Sequence, residues 1–166
     1  MTAPTADERG KLVDFLRTHC RCETLTPKEV DRLIDYTELM DLGQGEIIAD
    51  IGEVGEALYF IIQGEAVIKH GPLHDEVEVG RMREGELMGS VSFFDREPRD
   101  IRLRAGRKRT RMLRLSYPMY MRLRVEAPFI AVNLLEYAII SLDNLVRRTS
   151  KDVANLSLYL YSTGKR

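Results

Sequence analysis

The residues of this chain that could do chemistry fall into three groups, each pointing to a different kind of protein. His19, Cys20 and Cys22 form a compact trio of metal-ligating side chains. No second cluster stands ready to complete a four-ligand site, and His70 and His74 flank a turn, so no metal is expected. No Ser-His-Asp set, pair of catalytic carboxylates or phosphate-binding P-loop can be assembled, so no catalytic residue is assigned and an enzyme is not expected. The third group is a matter of charge. Met1 to Pro98 holds 21 acidic and 10 basic residues, whereas Arg99 to Arg124 holds ten basic residues and one acid, Asp100. Such a stretch can bind nucleic acid non-specifically, dock an acidic protein face, or neutralise the acidic half of its own chain. It lacks the interleaved aromatics of a single-strand platform. Arg102, Arg104 and Arg107 are its candidates for a protein partner.

The elements that must position these residues follow from periodicity. With 166 residues, 44% hydrophobic and 31% charged, the chain has the composition of one globular domain. Leu12, Val13, Phe15 and Leu16 give the first segment a helical apolar face. Thr26-Pro27 then supplies a cap and a first-turn proline for a second helix, with Val30, Leu33 and Ile34 as its buried stripe. From about Thr37 short apolar runs alternate with glycines, the pattern of a β-barrel or roll of short antiparallel strands. In Ile101–Ala105 the alternation puts Ile101, Leu103 and Ala105 on one face, Arg102 and Arg104 on the other. Helical periodicity returns after Tyr117-Pro118.

Pro128 opens a long helix in which Val132, Leu135, Ile139, Leu142 and Val146 recur at steps of three and four. That spacing is a seam for a partner helix and predicts a homodimer, the alternative being that all five pack on their own domain. The expected organisation is N-terminal helices over 1–36, a roll over 37–125 and a C-terminal helix and tail over 126–166, all one domain. The N-terminus has no signal pattern, no apolar run approaches a membrane span, and two close cysteines suit a reducing compartment. A cytoplasmic protein without membrane contact is therefore expected.

Ordered short motifs narrow the fold. Gly45-Glu46 precedes the run Ile47–Ala49, Gly52-Glu53 precedes Leu58-Tyr59-Phe60-Ile61-Ile62-Gln63-Gly64, and Glu84-Gly85-Glu86, Gly89 and Pro98-Arg99 follow. In this order they resemble the cyclic-nucleotide-binding domain, the sensor half of bacterial catabolite-activator-type regulators, over roughly Leu12 to Thr163. The resemblance implies an α+β, mainly β, jelly-roll-like β-roll flanked by N-terminal helices and a long C-terminal helix. It also implies a phosphate-binding cassette over 85–100. There Gly89, Ser90 and Val91 lie along the sugar-phosphate, Arg99 holds the phosphate, and Asp100 lies beside it. Arg148 to Leu156 resembles the helix segment that contacts adenine, with Thr149 and Ser150 at the two base-contacting positions.

Two positions depart from the family pattern. Ser90 stands where a glutamate usually accepts the ribose hydroxyl, and Asp100 stands where a small residue borders the phosphate, from which it could instead pair with Arg99. A carboxylate beside an anion is repulsive, so classical cyclic AMP binding is expected to be weakened. The chain stops where such regulators continue into a helix-turn-helix, so sequence-specific DNA binding has no visible basis. The expected function is a free-standing regulatory module with no required cofactor, sensing a nucleotide-type ligand such as a cyclic nucleotide or cyclic dinucleotide. The alternatives are a ligand-independent interaction scaffold and the sensor half of a truncated transcription regulator.

Overall fold

A computed structural model describes residues 4–19, 24–106 and 109–163; Cys20, Cys22 and Arg107 lie outside the described residues. Helix α1 (Ala6–His19) buries Leu12 and Leu16, and α2 (Pro27–Ile34) buries Val30, Leu33 and Ile34. The start of α2 is set locally. Thr26 and Glu29 cap each other reciprocally, and Pro27 opens the helix, where its missing N–H costs nothing.

Eight strands follow: β1 (Glu38–Leu42), β2 (Ile47–Ala49), β3 (Ala57–Gln63), β4 (Glu65–His70), β5 (Val77–Arg83), β6 (Leu87–Met88), β7 (Arg102–Ala105) and β8 (Thr110–Ser116). They form two four-stranded antiparallel sheets, in the orders β1-β8-β3-β6 and β2-β7-β4-β5. The short helix α3 (Ser90–Asp95) sits between β6 and β7, and α4 (Tyr117–Glu126) and α5 (Pro128–Thr163) close the chain. Helical residues outnumber strand residues because α5 alone runs 36 residues.

The two faces of β3 build two cores. Leu58 and Phe60 join a cluster with Leu16, Ile34, Leu115, Leu123, Leu134 and Tyr137, which ties the helices to the first sheet. Tyr59 and Ile61 point the other way, into a smaller cluster between the sheets with Ile68, Met82, Leu103 and Met112. The C-terminal helix divides likewise. Ile130, Ala131, Leu134, Tyr137, Ala138 and Ser141 are buried, and none of the described residues after Ser141 is.

Arg102 and Arg104 are not the outward arginines that strand alternation suggests. Arg102 is 7% exposed, donates to Asp50 at 2.6 Å and pairs with Glu76; Arg104 pairs with Glu76 at 2.9 Å and donates to the Gly45 carbonyl. Arg109 and Arg111 pair with Asp41 at 3.0 Å, Arg111 also with Glu8, and Arg114 with Glu38. The basic strands thus neutralise the acidic half of their own chain. Arg102 and Arg104 are committed inward and offer no docking face.

Candidate functional site

The segment from Gly85 to Arg99 is held by close backbone approaches. Gly89 has φ +91°, and a Cβ there would lie 2.9 Å from the Ala57 carbonyl and 3.7 Å from Nη2 of Arg99, so only glycine fits. Gly55 abuts α3 so closely that a Cβ would come within 2.4 Å of the Phe93 amide nitrogen. Ser92 fastens the two: its Oγ accepts from Gly55 N at 2.7 Å and donates to the Glu97 carbonyl at 2.6 Å. Phe93 anchors α3 from below, with no exposed surface and edge-on contacts to Tyr117 and Tyr120. Arg96 ends α3 at φ 61°, donates to the Gly55 carbonyl and lies 4.2 Å above the Tyr117 ring.

The end of the segment is strapped to the β2–β3 loop. Arg99 N donates to the Glu53 carbonyl at 2.9 Å, Gly52 N donates back to the Arg99 carbonyl at 2.8 Å, and Val54 bridges to Pro98. This is the structural use of the Gly52-Glu53 pair.

So positioned, the Arg99 side chain enters a cavity of about 440 Å³, within the range of small-ligand sites. The residue is 7% exposed, its Nε is sealed from solvent without a partner, and among the described residues its guanidinium makes no hydrogen bond or ion pair. Burial pushes its pKa below the usual guanidinium range, opposed by the nearby Tyr59, Glu53 and Asp95. The expected internal pair with Asp100 does not form. Asp100 is exposed at the cavity, and its carbonyl faces His70 Nδ1 at 3.0 Å. Gly89, Ser90 and Val91 also line the cavity.

Thr149 and Ser150 do not reach this cavity. Both are exposed, and α5 runs through them without a break. The helix residues that line it are Leu142, which the spacing assigns to the seam, and Leu145. A ladder of polar contacts holds α5 there. Tyr137 donates its hydroxyl to the Gly85 carbonyl, Leu87 N donates to Ser141 Oγ at 3.1 Å, and Arg148 grips Glu86 and the Arg81 carbonyl, each with an N···O of 3.0 Å. The sequence shows neither Tyr137 nor Ser141 in this role, and it offers Arg148 only as the start of the base-contacting segment, because polar partners across 50 or more residues leave no periodic trace.

The seam residues Val132, Ile139, Leu142 and Val146 are exposed and Leu135 is half-buried. A second apolar groove, lined by Ser90, Val91, Phe94, Leu135, Ile139 and Leu142 among others, runs beside the cavity. By length and composition the 34-residue stretch Pro128–Tyr161 of α5 could also cross a membrane: its most apolar window has a mean hydropathy of 1.5, though 39% of that window is buried in the fold. Scattered charges break up this stretch, so a search for unbroken apolar runs passes over it.

The class of domain is a β-roll with a long C-terminal helix, in which a glycine-flanked segment lays a nearly buried arginine at a cavity. Residues 39–124 match the family model described as the cyclic nucleotide-binding domain, and the chain belongs to that family. It is 27% identical over 77 residues to the cAMP-dependent protein kinase regulatory subunit of Mycosarcoma maydis, a match covering 46% of this chain and 15% of that protein. A cyclic nucleotide-binding domain from Methylobacillus flagellatus KT superposes with a TM-score of 0.77 at 17% identity, over 90% of this chain and 84% of that one. The Thermus thermophilus catabolite activator protein superposes at 0.60 with 30% identity, over 83% of this chain and 61% of the other.

Proposed function

We propose that this chain is a regulatory, non-catalytic sensing module that takes the anionic head of a small ligand at Arg99 and reports occupancy through α5. The observation that carries this is the burial of Arg99 without a partner. A nearly buried guanidinium whose Nε is sealed and which has no hydrogen bond or ion pair among the described residues is destabilising, and it becomes favourable when an anion fills the cavity. The family's cyclic nucleotides, and cyclic dinucleotides, are the first candidates, and no cofactor is required. Reporting follows from construction, because the cavity wall includes Leu142 and Leu145 of the helix that leaves the roll.

The reading is tested without knowing the ligand. Arg99→Met should stabilise the ligand-free protein by about 1–3 kcal/mol, the cost of a buried polar group left unsatisfied. Cyclic AMP, cyclic GMP and cyclic di-GMP should then be screened by thermal shift on both forms. A ligand-free variant no more stable than the wild type, together with no anion that protects wild type selectively, would sink the reading.

We also infer that the module is a cytoplasmic homodimer joined through α5. The exposed row Val132, Leu135, Ile139, Leu142, Val146, Thr149, Val153, Leu156 and Leu160 keeps steps of three and four over four heptads, with a half-buried Leu135 and a polar Thr149 in it.

A further inference from the structure

We infer that the ligand of the Arg99 cavity is an amphiphilic monoanion, with a singly charged head on Arg99 and an aryl or acyl hydrocarbon body against β4, β5, β7 and α5. This rests on the reading of Arg99 as an anion site and names what that site takes. The polar side chains lining the cavity are Ser90, Ser92, Asp95, Glu97, Arg99 and Asp100, and all lie between residues 90 and 100. Two of them are committed to holding the cassette. Ser92 spans Gly55 and Glu97, and Asp95 accepts from the Glu97 amide at 2.9 Å. Every other wall is hydrocarbon or thioether: Ile68 of β4, Met82 of β5, Leu103 of β7, and Leu142 and Leu145 of α5, with Leu87 and Met88 at the cassette's edge.

A purine brings a hydrogen-bonding edge to such a wall and finds nothing to pair with, which leaves buried polar atoms unsatisfied. The polar residues of α5 that could have met it are elsewhere. Arg148 is engaged with Glu86 and the Arg81 carbonyl, and Thr149 and Ser150 are exposed beyond the cavity. A hydrocarbon body loses nothing on the same wall and gains by leaving water. The head is limited in charge, because three acidic side chains, Asp95, Glu97 and Asp100, line the cavity around one guanidinium. A carboxylate satisfies Arg99 bidentately, whereas a dianion adds repulsion from those acids.

The experiment is titration calorimetry with thermal shift on the full chain, using 4-phenylbutyrate and octanoate as probes. Acetate supplies the head alone, 4-phenylbutanol the body alone, and cyclic AMP the family ligand. The expected result is that at least one of the two probes binds at least tenfold more tightly than acetate, 4-phenylbutanol and cyclic AMP. Arg99→Met should weaken that probe at least tenfold while the variant's own melting temperature stays at or above wild type. Cyclic AMP binding tenfold more tightly than both probes would overturn the inference and leave the anion-sensing reading standing. Equal binding of the probes and 4-phenylbutanol, unaltered by Arg99→Met, would also overturn it as mere partition into an apolar hole. No response to any probe or nucleotide, with Arg99→Met no more stable than wild type, would overturn both.

Discussion

At the scale of single residues, the site depends on two positions whose requirements oppose ordinary stability. Gly89 holds a φ of +91° in the left-handed region, with the Ala57 carbonyl where a side chain would begin. Any substitution adds both backbone strain and a clash. Gly89→Ala should therefore cost about 1–3 kcal/mol and lower Tm by several degrees, read by thermal denaturation. A variant that melts with the wild type would show that the approach to Ala57 is not tight. Arg99 is the converse case, a residue whose replacement by Met is expected to stabilise the empty fold. The placement of both was legible in sequence through the cassette resemblance, because glycine and arginine at fixed spacing mark a close backbone approach and the arginine beside it. Asp100 was not. Its placement beside Arg99 in sequence suggested a pair, yet adjacent residues leave a strand or loop in different directions, and its carbonyl rather than its carboxylate is engaged, by His70.

At the scale of elements, local signals were read correctly and long-range pairing was not. The Thr26-Pro27 start of α2 and the row on α5 depend on neighbours within a turn or two, which local pattern reports; the reciprocal bond to Glu29 is a structural addition. Alternation in β7 correctly separated Leu103 from Arg102 and Arg104, but it says nothing of what covers the second face. Here that cover is Glu76, at the end of the β4–β5 connection, together with Asp50 after β2. Glu76 thus ties the β4–β5 connection to β7, and Asp50 ties the end of β2 to the same strand. Hydrogen bonding from Arg104 first, then from Arg102, lowers its pKa below the 4.5 of an ordinary glutamate, against a rise from desolvation. Asp50 is lowered in the same way, chiefly by Arg102. A carboxylate depressed in the folded state stabilises it above the unfolded pKa, and that contribution is lost as pH falls through the folded value. Glu76→Gln should accordingly shift the urea midpoint downward at pH 7. The gap to wild type should close as pH drops below about 4.5. A gap independent of pH would mean that Glu76 acts by packing rather than by charge.

At the scale of the whole molecule, charge and apolar surface have been allotted to different tasks. The acidic N-terminal half and the basic strands cancel within the roll, which leaves little net charge for a partner to read. Among the described residues the seam of α5 stays exposed, with Ile139 63% and Val153 58% exposed. From Val132 to Leu160 the row spans about 43 Å at 1.5 Å per residue, enough for a stable parallel pair of helices. Leu142 belongs to this row and also lines both the Arg99 cavity and the neighbouring groove, so the proposed association and the proposed occupancy would share a side chain. Sedimentation should find the wild-type chain dimeric at micromolar concentration. Ile139→Glu with Val153→Glu, both on the exposed row and neither in the cluster cores, should give a folded monomer with unchanged roll stability. A wild type that sediments as a monomer, or a double variant that remains a dimer, would remove the seam from the account and leave α5 to report occupancy by its packing on the cassette alone.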